Sequence, residues 1–438
     1  MAQETSALLD HARSLIEYSK PRELVKHVSD LAGKNDAWRS MQCINLNAAE
    51  SVPSPSVQAI LRCDLSHRAF LGEIGNRRDK GAKYLDEIEA MTIELAKKLF
   101  DVDYAEYRPV TGSVADGIAM RCLTEVGDTV LALEEPRGHP SWREIGYAGY
   151  RGINVVDIPF DYEKFNIDVD GLTRIIEENR KAKLVVVGSS LFLFPYPLRE
   201  IHRITSEIGA KLWYDGAHVL GLIAGKMFQD PLREGADLLT GSTQKTLSGP
   251  LGALMLHGEE GLDEKIRYFF YGHLSSIGHN RTAALAVALA EMLEFGKDFA
   301  EQIVRNAKAL ASALDKEGFD VVGKGNGYTE SHMVASDVKK LGGGQRVATR
   351  LEQCNIICSA FKLWTRDEPY HGIRLGVTEM TRYGMKEPEM KSIAELIRRA
   401  VIDQNDMIDV CKKVLQLRNE FMQLHYCFEN HEKPSVVE

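Results

Sequence analysis

The sequence predicts an α/β fold, with a large domain built on a mostly parallel sheet and a smaller α+β domain following it. Three observations predict it. Short apolar runs alternate with helical patterns from about residue 84 onward, the signature of strands layered with helices. Beyond residue 314 the alternation gives way to a different mixture of strand-like pieces and helices. The chain has 438 residues, too many for one small domain and enough to bury a large core.

Taken in order, residues 6–19 and 21–32 read as two amphipathic helices, an N-terminal arm of the kind that embraces a second subunit. A helix is expected over 84–100 and another after Thr111-Gly112-Ser113. Apolar runs at 129–133, 153–158, 184–187, 211–214, 237–240 and 253–256 read as strands, with a helix at 198–208 between two of them. A long helical stretch covers 283–314, Gly342-Gly343-Gly344 marks a turn, and helices run from 390 to about 424. The expected division is 1–37 for the arm, 38–300 for the large domain and 301–438 for the small one, with 429–438 as a loose tail.

Composition narrows the function classes. Hydrophobic content of 44% with 27% charged residues is that of a globular enzyme and leaves little room for disorder. The formal net charge is −9 and basic residues are scattered, so nucleic acid is not an expected partner. No apolar stretch approaches the roughly 18 residues of a membrane span. The first residues lack the basic-then-apolar order of a signal peptide, which places the expected protein in the cytoplasm. Seven widely spaced cysteines suit reduced thiols, and with no supporting Cys or His spacing no metal site is expected.

Chemistry concentrates at strand ends. Lys245, in Ser-Thr-Gln-Lys-Thr-Leu-Ser-Gly-Pro (242–250), lies in a turn between two strand-like runs. Open α/β sheets bind ligands there, and a desolvated lysine amine forms an imine with an aldehyde cofactor. Thirty residues earlier, Asp215 ends the run Trp-Tyr-Asp. Pyridoxal phosphate is an electron sink only while its ring nitrogen is protonated, and a carboxylate paired with that nitrogen keeps it so. By itself Asp215 would serve equally as a helix cap; followed by a strand-end lysine it points to this cofactor. Gly112 and Ser113 open a helix after Pro-Val-Thr, where backbone N–H groups and a hydroxyl could hold a phosphate, although Thr-Gly-Ser is also an ordinary cap.

These segments, in order and spacing, resemble serine hydroxymethyltransferase. The resemblance rests on Asn-Ala-Ala-Glu-Ser (47–51), Thr-Gly-Ser-Val-Ala-Asp (111–116), Gly-His-Pro-Ser-Trp (138–142), Tyr-Asp-Gly-Ala-His-Val-Leu-Gly-Leu-Ile-Ala-Gly (214–225), the lysine segment and Gly-Ile-Arg-Leu-Gly-Val (372–377). It spans roughly residues 40–400 and extends to the related threonine transaldolases, notably at 294–300 and 371–387. It implies a fold-type-I pyridoxal 5'-phosphate enzyme with a seven-stranded sheet, acting as a homodimer or a dimer of dimers on small amino-acid and aldehyde substrates. It also implies that His139 stacks on the cofactor ring, that Ser190 and His218 approach its 3-oxygen side, and that Ser242 belongs to the cofactor shell. Arg374 would grip the substrate carboxylate, a task a guanidinium fork suits.

Glu50 decides which reaction follows. Breaking the Cα–Cβ bond of a β-hydroxy amino acid requires a group that takes the hydroxyl proton, and the family's glutamate at this position does so. A buried structural carboxylate is the alternative. Elsewhere the family pattern is broken. The tyrosines and acid that hold folate and place the substrate are replaced within 68–81, where Ala69, Leu71, Arg78 and Asp79 stand. Gln244 replaces a histidine before the lysine, and Ser275-Ser276 replace a Gly-Gly turn that reaches the partner subunit's cofactor. The expected activity is therefore a folate-independent aldolase or transaldolase step on serine, threonine or a relative. The alternatives are hydroxymethyl transfer to tetrahydrofolate, with Glu73 or Arg78 serving the folate, and a non-catalytic relative that kept the fold.

Overall fold

The structure is a computed structural model and describes residues 2–274, 276–365, 368–403 and 406–430. Its centre is a seven-stranded sheet made of β1 (Tyr104–Glu106), β2 (Thr129–Leu133), β3 (Asn154–Ile158), β4 (Leu184–Gly188), β5 (Lys211–Asp215), β6 (Leu238–Ser242) and β7 (Ala253–His257). Their order is β1-β7-β6-β5-β4-β2-β3, and β7 alone runs against the others. Strands β4, β6 and β7 are buried along their whole length, which is why they read in sequence as unbroken apolar runs rather than alternating ones. The short edge strand β1 is the one that no apolar run announces.

Two helices form the arm, α1 (Ala2–Tyr18) and α2 (Pro21–Asp36), both longer than the sequence pattern indicates. The apolar side chains of Leu8, Leu9, Ile16, Val25, Val28 and Leu31 stay exposed on them. After α2 a π-helical turn, Ala37–Gln42, carries Arg39 toward the body of the protein. Helices α3 (Lys83–Phe100) and α4 (Gly112–Leu123) precede the parallel strands. The longest helix, α5 (His279–Lys316), runs unbroken through residue 300, where the sequence suggests a division.

Beyond α5 an antiparallel four-stranded sheet has the order β8-β9-β11-β10, with β8 (Asp320–Val321), β9 (Met333–Asp337), β10 (Ser359–Phe361) and β11 (Gly372–Gly376). Strand β11 leads into the short helix α6 (Thr378–Arg382), followed by α7 (Glu387–Val401) and α8 (Met407–Asn419). Gly342 and Gly343 turn the chain at φ 96° and 87°, a region side chains rarely adopt. The tail from 431 onward lies outside the described residues. No helix among the described residues is long and apolar enough to cross a membrane.

The segment that carries Glu50 joins the two sheets. Ile44–Asn45 pairs in parallel with Ile356–Ile357. The Gly376 N–H then donates to the Leu46 carbonyl at 2.8 Å. A Cβ on Gly376 would stand 2.4 Å from the Ala48 Cα, so only glycine lets the end of β11 lie this close to residues 46–48.

Candidate active site

The carboxyl ends of β4, β5 and β6 deliver one pocket, lined among others by Gly112, Ser113, His139, Ser190, Asp215, His218, Ser242 and Lys245. Eight of the residues singled out in the sequence are thus brought together. Asp215 is the last residue of β5, registered beside Gly188 of β4 and Thr240 of β6. Ser242 ends β6, and Lys245 follows in the turn that reverses into β7. This is where an open α/β sheet leaves strand-end side chains free to meet a ligand.

At the mouth of α4, Thr111 is the N-cap and its hydroxyl accepts the Val114 N–H at 3.2 Å. The cap is worth about 1 kcal/mol, and the Gly112 and Ser113 N–H groups ahead of that bond lie within the positive end of the helix dipole. A Cβ on Gly112 would meet the Ser242 hydroxyl at 2.7 Å, so the glycine keeps open a concave corner between helix and sheet. Such a corner fits a phosphate.

Burial lowers the Lys245 ammonium from its ordinary value to about 8; Asp215 and Asp116 oppose the shift and Arg374 adds to it. The lysine is therefore poised to give up its proton near neutral pH and act as a nucleophilic amine. Asp215 is buried, which raises its carboxyl, while His139 and Lys245 draw it back. Its Oδ1 accepts the Ala217 N–H at 2.8 Å. It caps no helix, since the next one begins only at Leu220 with Val219 as N-cap. A buried strand-end carboxylate beside a lysine amine matches a protonated ring nitrogen.

Sequence alone assigns no role to three neighbours, Ser141, Asp116 and His332. The Ser141 hydroxyl lies 2.7 Å from the His139 Nδ1 and donates to Asp116 Oδ2, while the Ser141 N–H donates to that Nδ1 at 3.2 Å. Burial, then the nearby Asp215, pushes the Asp116 carboxyl well above the usual range. Asp116 belongs to the quoted Thr-Gly-Ser-Val-Ala-Asp segment, and its position one helical turn from Ser113 was the available signal. His218 stacks on His332 with ring centroids 6.1 Å apart, and burial holds both imidazoles far below their ordinary value, His332 at about 3. Gln244 keeps its buried Oε1 without a hydrogen bond. Gln244 is also one of the residues lining the pocket.

Two expected residues approach the pocket from its edges. Arg374, in β11, is buried and donates Nη1 to the Ser190 carbonyl, while its Nε has no partner. Burial, then the neighbouring Arg137, brings its guanidinium down to about 10, as befits a cation awaiting an anion. Both guanidiniums lie against the Phe361 ring, at 4.9 Å and 5.4 Å. Glu50 pairs with Arg39, and its side chain is 39% exposed. The next residue fixes its place: the Ser51 N–H donates to the Gln244 carbonyl at 3.0 Å, and the Ser248 hydroxyl to that of Ser51 at 2.9 Å. Glu50 is thereby tied to the turn that holds Lys245.

Ser276 does not reach this pocket within its own chain. It lines a separate cleft with Phe70, Leu71, Glu73 and Arg108. Ser275 lies outside the described residues. In the same cleft the altered 68–81 segment is tied down by its own charges. Arg77 pairs with Asp86 and Glu89, Asp79 accepts the Leu71 N–H at 3.0 Å, and Glu73 faces Arg108 and Arg267 at 3.3 Å and 3.5 Å.

Comparison with known proteins agrees with the geometry. The family model described as serine hydroxymethyltransferase matches residues 24–397. A serine hydroxymethyltransferase of Staphylothermus marinus is 42% identical, covering 95% of this chain and 96% of the relative. One from Archaeoglobus fulgidus is 44% identical over 89% of this chain and 90% of the relative. Among solved structures, an L-threonine transaldolase from Pseudomonas fluorescens superposes with a TM-score of 0.85 at 27% identity, covering 94% of this chain and 96% of that one.

Proposed function

Since the chain belongs to the serine hydroxymethyltransferase family and is an enzyme that uses pyridoxal 5'-phosphate, we propose that it cleaves the Cα–Cβ bond of a β-hydroxy-α-amino acid without folate. The glycyl unit is then protonated or passed to another aldehyde. The observation that carries this reading is the tie between Glu50 and the Lys245 turn through Ser51 and Gln244, set against a 68–81 segment whose Arg77, Asp79 and Glu73 are all engaged within the protein.

When bound, the cofactor supplies the electron sink that accepts the bonding pair released at Cα. In this chain Lys245 would hold its aldehyde carbon, and the N–H groups of Gly112 and Ser113, with Ser242, its phosphate. Asp215 would keep its ring nitrogen protonated, His139 would cover its face, and Ser190 and His218 would stand at its 3-oxygen side. Arg374, whose Nε has no hydrogen-bond partner, would bind the substrate carboxylate, fixing which Cα bond stands ready to break. Glu50 takes the hydroxyl proton as the carbonyl of the leaving aldehyde forms, a step worth roughly 10²–10⁴ in rate.

The exposed apolar face of α1 and α2 suits burial against a second copy, so the arm, residues 1–37, would hold a homodimer. In that arrangement Ser275 and Ser276 would serve the neighbouring subunit's cofactor. The division at 300/301 is the functional seam on this reading, with Arg374 brought in from the far side of it.

The test is purified protein with pyridoxal phosphate, threonine and an acceptor aldehyde, with tetrahydrofolate omitted. Acetaldehyde release, followed by coupled reduction, is the expected result. Strict dependence on tetrahydrofolate would overturn it and favour the second reading, hydroxymethyl transfer, which the names of the archaeal relatives support.

A further inference from the structure

Behind Glu50 lies a second carboxyl that the reaction scheme does not use. The Asn45 Nδ2 donates to Glu50 Oε1 at 3.0 Å and to Glu379 Oε2 at 2.9 Å, so one amide group spans both carboxyls. Its orientation is fixed, because the Asn45 Oδ1 accepts the Asn47 N–H at 3.1 Å. Glu379 sits on α6, directly after the strand that carries Arg374, and is buried.

The charges around Glu379 come from four parts of the chain, and each cation is committed elsewhere. Arg39, from the turn after α2, pairs with Glu50. Arg418, from α8, donates to the Ser40 and Phe421 carbonyls and lies 3.8 Å from the centre of the Tyr383 ring. Arg382, on the same helix as Glu379, pairs with Glu291 at 2.9 Å. The remaining titratable neighbours are Cys43 and Tyr383, both raised by burial. Glu379 is thus a buried carboxyl with no cation of its own and a like charge across one amide.

We propose that Glu379 is a positioning residue for the reaction: through the Asn45 carboxamide, which donates to both carboxyls, it fixes where the Glu50 carboxyl stands. The inference rests on the role given to Glu50 above. Two carboxyls joined this way disfavour being charged together. Burial, opposed by the Asn45 hydrogen bond and helped by Glu50, raises Glu379 to about 7.

The coupling is reciprocal, so it can be read from either side. Infrared difference titration of the holoenzyme should show a protonated carboxyl band that disappears with a midpoint near 7. The band should be absent in Glu379→Gln and should move down by about one pH unit in Glu50→Gln, where the like charge is gone. In turnover of threonine, Glu379→Leu, which removes the acceptor for Asn45, should lower kcat about tenfold with little change in KM, and Glu379→Gln, which keeps an acceptor oxygen there, should restore it. The Glu50→Gln infrared arm leaves Glu379 untouched, so it stands even if Glu379→Leu folds poorly. A band midpoint unmoved in Glu50→Gln, or a kcat undiminished in Glu379→Leu, overturns the inference. A wild-type protein that cleaves no β-hydroxy amino acid overturns the reaction it serves instead.

Discussion

The pH dependence of cofactor capture follows directly from the surroundings of Lys245. Only the neutral amine attacks an aldehyde. With the ammonium lowered to about 8 by burial, about a tenth of the lysine is neutral at pH 7 and about nine-tenths at pH 9. Cofactor-free protein mixed rapidly with pyridoxal phosphate and quenched with borohydride should incorporate it about tenfold faster at pH 9 than at pH 7, with a plateau above. Two variants separate the lysine from titration of the cofactor in solution. Arg374→Leu removes a cation that lowers Lys245, so the midpoint should rise. Asp215→Asn removes an anion that raises it, so the midpoint should fall. A rate that climbs about tenfold per pH unit through pH 9 without a plateau is the behaviour of an ordinary lysine and would refute the reasoning. So would midpoints that move together in the two variants.

Three further outcomes can be checked. Glu50→Gln should lower the rate of threonine cleavage by roughly 10²–10⁴ while the protein still binds glycine, measured by visible-band titration. Gly376→Ala forces a Cβ to within 2.4 Å of the Ala48 Cα; it should cost about 1–3 kcal/mol in urea unfolding and impair catalysis by displacing the Glu50 segment. Glu379, raised to about 7, binds more protons folded than unfolded between its unfolded value and 7, so its contribution to stability falls as pH rises through that window. Glu379→Gln should accordingly match the wild type at about pH 4 and exceed it by up to about 3 kcal/mol at about pH 8, read from urea midpoints.

Much of the site was legible because its residues lie in runs whose position in the fold follows from their own pattern. Asp215 and Ser242 close apolar runs, Lys245 follows in the next turn, and Gly112 opens a capped helix, so each falls at a sheet's carboxyl edge once the runs are read as strands. The seventh strand, Tyr104–Glu106, was harder, since three residues at a sheet edge show no periodicity. Asp116 and Ser141 were quoted without roles because their importance lies in touching each other and His139 across 25 residues of chain. Asn45 and Arg39 gave no signal, and Glu379 fell within 371–387 without a role, because the three are scattered between residues 39 and 379 and joined only by side-chain hydrogen bonds.

By itself the sequence determined the α/β layering and the strand-end placement of Lys245 and Asp215, because hydrophobic period and strand-end position are local properties of the chain. Only the tertiary structure decided what stands behind Glu50. Gly376 draws β11 against residues 46–48, and α6 follows that strand into place, so a carboxyl 329 residues distant meets Glu50 across one asparagine. Nothing local in either segment encodes that meeting; packing of one sheet's edge against the other's approach creates it.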